Sequence, residues 1–172
     1  DGAAAVIVTD VETAMAMKKA IAFRSLAHVN DFKPMSKRDF GLLEGCEVAW
    51  KQAFARSGGL TLKDMSFVET HDCFTTTEYM AIEHLGLTAP GAAWQAIEDG
   101  SIEIGGRLPV NPSGGLIGCG HPVGATGVRM ALDAWRQTTG RAGDYQVEGA
   151  RNVQTLNIGG STTTTVSLVV GV

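Results

Sequence analysis

The stretch NPSGGLIGCGHPVGATG, Asn111 to Gly127, sets a cysteine, a histidine and two prolines among closely spaced glycines. Glycine at this density serves close backbone approach, to a ligand or between elements. Pro122 restricts the backbone of His121 toward extended conformations, and the Gly-Ala-Thr-Gly that follows leads into a helix start. A histidine held rigidly near a helix N-terminus is a candidate base or oxyanion donor. A phosphate cradle is the other reading of such glycines. The GxxxxGK[ST] pattern is missing, however, and no GxGxxG follows a clear strand. Cys119 sits among glycines with no base placed beside it and reads as inert.

Working outward, Val128, Leu132 and Trp135 fall at helical spacing, and that helix ends near Gly140. Val153–Ile158 and Thr163–Val170 read as two strands too close for a crossover helix, hence antiparallel. Their joint, Asn157-Ile158-Gly159-Gly160-Ser161, is either a tight turn that needs glycine for positive φ or a set of amides able to hold an oxyanion. Upstream, Ala3–Thr9 reads as a buried strand and Val11 to about Lys19 as a helix capped by Asp10. The alternation of Ile21, Phe23, Ser25, Ala27 and Val29 predicts a second strand. A helix with Leu42, Cys46, Ala49 and Ala53 on its inner side stops at Gly58-Gly59. Met65–Thr70 is a short strand. The Thr75–Glu78 capping-box pattern then opens a helix to about Leu85, and one more short helix falls around Trp94 to Glu98. Five strands result.

That places VETHDCFTTTEYM, Val68 to Met80, at a strand-to-helix turn, where side chains and backbone amides are presented at the end of a sheet. A cysteine works as nucleophile or acid–base where a helix N-terminus or an imidazolium favours its thiolate. Cys73 has such a setting beside His71, although a small buried cysteine and a structural histidine would occupy the turn equally well. His28 reads as a solvated strand residue, His84 as a surface residue and Cys46 as core.

The whole composition narrows the class. In 172 residues, 44% are hydrophobic and 19% charged, which is enough for a packed core. The net charge of −4 without a basic block argues against nucleic acid. No apolar run approaches the roughly 18 residues of a membrane span. The opening residues lack the charged-then-apolar pattern of a leader. Three cysteines without CxxC spacing suggest neither a disulfide framework nor a metal site, and a reducing cytoplasm is the plain expectation.

Taken together, the three constellations resemble the C-terminal half of a thiolase. The Asn111–Gly127 block is similar to the thiolase GHP block. DGAAAVIV looks like the last strand of that family's N-terminal domain. NIGGS falls where thiolases carry a CxG turn. The HDCF tetrad, His71 to Phe74, resembles that of sterol-carrier-protein-type thiolases and acetyl-CoA acetyltransferases, whereas most thiolases carry NEAF.

The resemblance implies an α/β thiolase-fold layered domain with a mixed five-stranded sheet flanked by helices. Residues 1–19 would be a remnant of the N-terminal domain and 20–172 the C-terminal domain. The implied chemistry is thiolysis of a 3-ketoacyl-CoA or the reverse Claisen condensation, a reaction of lipid metabolism. His121 would activate the nucleophilic cysteine, and His71 would serve the first oxyanion hole. Gly159 would donate its N–H to the second hole, and Cys73 would move the proton in place of the thiol that Asn157 lacks. Phe74, Gly120 and Pro122 would line the substrate. No metal or bound cofactor is implied, since CoA and acyl-CoA are substrates.

The acylated cysteine of the family lies upstream of Asp1, so this stretch alone is expected not to turn over. Two alternatives stand beside this reading: a thiolase-like retro-aldolase acting on a CoA ester, and a non-catalytic acyl-CoA-binding module. The implied partners are further copies, as a dimer or tetramer, and an OB-fold protein.

Overall fold

Period-two alternation sorts the strand residues into two cores. In the computed structural model, which describes residues 1–31, 34–39 and 41–172 (for Met35 the backbone only), neighbours along a strand turn to opposite faces. Val68, Leu156 and Val169 join one cluster, with Cys46, Ala49, Trp50 and Ala53. Phe67, Val153 and Val170 join the other, with Ala134, Val147 and Ala150. A side-chain period of two makes such a division inevitable when both faces of a sheet are covered.

The elements follow the order α1 (Val11–Met15), β1 (Ala22–Asn30), α2 (Glu44–Arg56), β2 (Phe67–Glu69), α3 (Thr75–His84), α4 (Ala93–Glu98), α5 (Gly115–Cys119), α6 (Thr126–Thr138), β3 (Asn152–Gly159) and β4 (Thr164–Gly171). The sheet has strand order β1-β4-β3-β2. β1 and β3 flank β4 antiparallel, while β2 runs parallel to β3. α2 packs against β1 and β4, and α6 packs against β3 and β4. The layering is therefore helix, sheet, helix. No helix among the described residues is long and apolar enough to cross a membrane.

The sheet has four strands, not the five expected. The failure is Ala3–Thr9, which forms no strand, and Ile7 within it is 93% exposed. A short apolar run is compatible with a strand, but only pairing makes one, and here the run finds no partner edge. The helix that follows is also shorter than its pattern. It covers only Val11–Met15, with the Asp10 carboxylate accepting from Thr13 N–H at 2.7 Å, and it buries nothing. Without a packed face, a helix of this length has little to hold it beyond its cap.

The other boundaries fall close to the sequence expectation. α2 stops at Ser57, and Gly58 follows at φ 79°, the left-handed exit that glycine tolerates. Thr75 is the first residue of α3 rather than its cap. The Thr77 hydroxyl donates to the Phe74 carbonyl at 2.6 Å instead. His84 is not a surface residue as expected. It is half-buried, and its Nε2 accepts the Leu43 N–H at 2.8 Å, which satisfies a donor at the start of α2. His28 is exposed and Cys46 is core, both as read from the sequence.

Candidate functional site

His71 lies two residues past the end of β2, and its segment is held by pairing beyond the strand itself. Val68 N–H donates to Pro109 O and Asn111 N–H donates to Val68 O. At Asn111 the backbone turns left-handed, φ 51°, a conformation asparagine tolerates better than most residues. Its side chain then continues the ladder: Asn111 Oδ1 accepts from Thr70 N–H at 2.7 Å. The glycine-rich block is thereby sewn to the strand end one residue before His71.

The next residue, Asp72, adds a second stitch. It is buried, and its Oδ1 accepts the Leu116 N–H at 2.6 Å, capping the short helix α5 from outside. This explains one glycine. Gly115 sits at φ 62°, and a Cβ there would run into the Asp72 carboxylate. α5 itself went unseen in the sequence, because a glycine-rich run offers no periodic apolar signal.

These stitches bring two imidazoles together. The His71 and His121 rings lie 4.9 Å apart between centroids, edge to face at 88°. His121 Nδ1 lies 2.7 Å from Thr126 Oγ1. Thr126 Oγ1 also lies 3.3 Å from Pro122 O, to which its hydroxyl can donate, so the His121 ring is tied through Nδ1 to the first turn of α6 and Nε2 is its other ring nitrogen. His71 is 6% exposed, and its Nδ1 has no hydrogen-bond partner among the described residues. Burial, with His121 adding to it and Asp72 opposing, pulls its pKa down from 6.5 to about 4. His71 is therefore neutral at pH 7, a hydrogen-bonding group rather than a cation.

The remaining residues singled out in the sequence divide. Gly120 and Pro122 line, with His121, a cavity of about 780 Å³ roofed by Asp1 to Ala4. Cys73 is half-buried on the turn between His71 and α3, and Phe74 beside it is 69% exposed. Gly159 is exposed at the end of β3. Asn157, two residues earlier, approaches the first turn of α6: a Cβ on Gly127 would stand 3.5 Å from its Oδ1. Cys119 is exposed and donates to Ser113 O at 2.8 Å. The buried Cys46 thiol is pushed up to about 11 by desolvation, so it is no nucleophile. Among the described residues no cluster of His, Cys, Asp or Glu could hold a metal ion.

Sequence reasoning missed Glu69, Ser113 and Thr126 as parts of this arrangement, and it placed Asp72 in the HDCF tetrad without its role as the cap of α5. Only the closeness of Glu69 to His71 along the chain hinted at the first.

The fold agrees with what comparison finds. The sequence model described as "Thiolase C-terminal domain-like" matches residues 27–172, and the chain belongs to that family. It is 39% identical over 163 residues to an acetyl-CoA acetyltransferase of Methanothermobacter thermautotrophicus, covering 94% of this chain and 42% of the relative. It is 40% identical over 111 residues to human sterol carrier protein 2, covering 64% of this chain and 20% of that protein. Among solved structures, the Ltp2-ChsH2(DUF35) aldolase superimposes with a TM-score of 0.77 at 26% identity, over 88% of this chain and 39% of that one. The chain thus spans less than half of each.

Proposed function

We propose that this domain serves a protein that acts on a CoA ester, cleaving a carbon–carbon bond next to the thioester with His71 and His121 as its working pair. The observation that carries the proposal is the edge-to-face contact of a neutral His71 with a His121 tied through Nδ1 to Thr126. Of the reactions open to such a pair, retro-aldol cleavage of a 3-hydroxyacyl-CoA needs the fewest groups beyond it. His121 Nε2 takes the hydroxyl proton. The Cα–Cβ bond then breaks as the carbonyl product forms, and the bonding electrons pass into an enolate of the thioester. His71 donates a hydrogen bond to that enolate oxygen, and the α-carbon finally takes up the proton that His121 removed, which regenerates the base and gives the shortened acyl-CoA. The likeness to an aldolase at TM-score 0.77 supports this reading, and that aldolase is named for two proteins, Ltp2 and ChsH2, so a partner subunit belongs to the proposal.

Thiolysis is the second reading, favoured by the 39% identity to an acetyl-CoA acetyltransferase and by Cys73 beside His71. It needs in addition an acylated cysteine, and neither Cys46 nor Cys119 has the setting of one. In the thiolytic route, free CoA is consumed stoichiometrically; in aldol cleavage it is not. The test is to offer the longer protein bearing this domain a 3-hydroxyacyl-CoA alone, and a 3-ketoacyl-CoA with and without CoA. Release of a ketone or aldehyde without added CoA is the expected result. Turnover only of the 3-ketoacyl ester, and only with CoA, would transfer the assignment to thiolysis. Replacing His71 or His121 by Ala should cost roughly 10²–10⁴-fold in either case.

A further inference from the structure

Behind the two imidazoles lies a buried polar knot. Glu69 is fully buried. Its Oε2 accepts from Ser113 Oγ at 2.8 Å and its Oε1 from Ser113 N–H at 3.2 Å. Ser113 Oγ in turn accepts from Gly115 N–H at 3.3 Å and from Arg129 Nη1 at 3.1 Å. One donor and two lone pairs are thus all in use, which is the full capacity of a hydroxyl. Arg129 is anchored by Asp133 at 2.9 Å, and Asp133 also receives Arg136 and Tyr145 at 3.3 Å each.

Three segments meet at Ser113: β2, which carries His71 two residues after Glu69; the glycine-rich block, which carries His121; and α6, whose Thr126 orients His121. A carboxyl removed from water is costly unless its partners satisfy it, and here both oxygens are engaged by Ser113.

We propose that Glu69 is a positioning residue, which fixes the approach of His121 to His71 by gripping Ser113. Its bearing on catalysis rests on the reading of those histidines as the reacting pair, but the grip itself is measurable without substrate. The groups facing the knot are Arg129 and Asp133 from α6. Those facing His71 are His121 from the block and Asp72 from its own turn.

The prediction follows from the causes that hold His71 down. If Ser113 is released, His121 withdraws and water enters, so the midpoint of His71 climbs. Glu69→Gln breaks the knot because its amide N–H would face an oxygen that already accepts two bonds. Ser113→Ala removes the hydroxyl and keeps the amide bond to Glu69. Ser113→Thr restores the hydroxyl.

The experiment is a pH titration of the histidine ring protons of this chain by NMR, with circular dichroism confirming the fold. In Glu69→Gln and Ser113→Ala the His71 midpoint moves from about 4 toward 6.5, and Ser113→Thr returns it toward the parent value. Should Glu69→Gln fail to fold, Ser113→Ala decides. A folded Ser113→Ala with His71 at its parent midpoint overturns the proposal and leaves the knot as mere core structure. Failure of the CoA-ester assay would touch only the functional reading.

Discussion

At the scale of single residues, two buried groups two positions apart in sequence are shifted in opposite directions. His71 holds no proton above about 4 in the folded chain, whereas a free histidine releases its proton near 6.5. Between those values only the unfolded state binds that proton, so the His71 contribution makes stability rise with pH across the window. Glu69 is raised from 4.5 to about 7, by burial first and by Asp133 as well, against the pull of Ser113 and Arg129. Between 4.5 and 7 only the folded state keeps that proton, so its contribution makes stability fall with pH. The two slopes oppose each other between 4.5 and 6.5, and a single substitution unmasks the survivor. Relative to the parent chain, His71→Gln should gain melting temperature steadily as pH falls from 6.5 to 4, read by thermal denaturation across that range. A constant difference would mean that His71 is not held neutral. Gly115 makes a sharper demand. Gly115→Ala puts a side chain at φ 62° and drives it into Asp72. The left-handed backbone costs about 1–2 kcal/mol and the lost Asp72 cap about 1 kcal/mol, so the urea midpoint should drop by the equivalent of about 2–3 kcal/mol. A midpoint within error of the parent would show that the cap is dispensable.

At the scale of elements, the β3–β4 hairpin is strained where its function is least evident. Ser161 and Thr162 both adopt left-handed backbone, φ 58° and 64°, a conformation that L-residues pay for. Thr162 is held by Arg38, whose Nη1 donates to its Oγ1 at 2.7 Å, but Ser161 offers Arg38 only its backbone oxygen. Ser161→Gly keeps that bond and removes the strain, less the entropy that glycine adds to the unfolded chain. The net gain should be up to about 1 kcal/mol, a rise of roughly 2–4 °C for a domain of this size, and a lowered melting temperature would refute it. Elements were legible in the sequence where a local rule sufficed. Ser25 and Ala27 alternate inward on β1, Gly58 stops α2, and the short Gly160–Thr163 joint forces β3 and β4 antiparallel. They were illegible where the deciding contact is distant. α5 is capped by Asp72 from 44 residues away, the Leu43 amide is satisfied by His84, and the pairing of Val110 with Val68 turns supposed loop into a fifth line of contact beside the sheet. The site divides in the same way. His71 and His121 were marked by their own neighbours, but Ser113 and Glu69 look unremarkable until a hydrogen bond across 44 residues joins them.

At the scale of the molecule, the covered and uncovered faces differ sharply. α2 closes one side of β1 and β4, whereas α6 packs mainly against β3 and β4 on the other. On that side Leu26 is 55% exposed and Phe23 50%. The N-terminal run crosses nearby without joining the sheet, with Val8 69%, Val11 78% and Met15 81% exposed. Beneath it lies an apolar cavity of about 650 Å³ between Val6–Thr9, Phe23, Leu132 and Trp135. Isolated apolar residues at a surface are ordinary, but a contiguous group around a cavity marks a surface that associates. Hydrophobic attraction scales with the area removed from water, at about 25 cal/mol per Å². The chain should therefore self-associate, with a sedimentation coefficient that rises with protein concentration. Ile7→Lys combined with Met15→Lys should suppress the rise without altering the circular dichroism, because neither side chain contributes to either core cluster. If the parent chain sediments as a monomer across the accessible range, the exposed face is not adhesive, and the four-stranded unit is self-sufficient despite its open side.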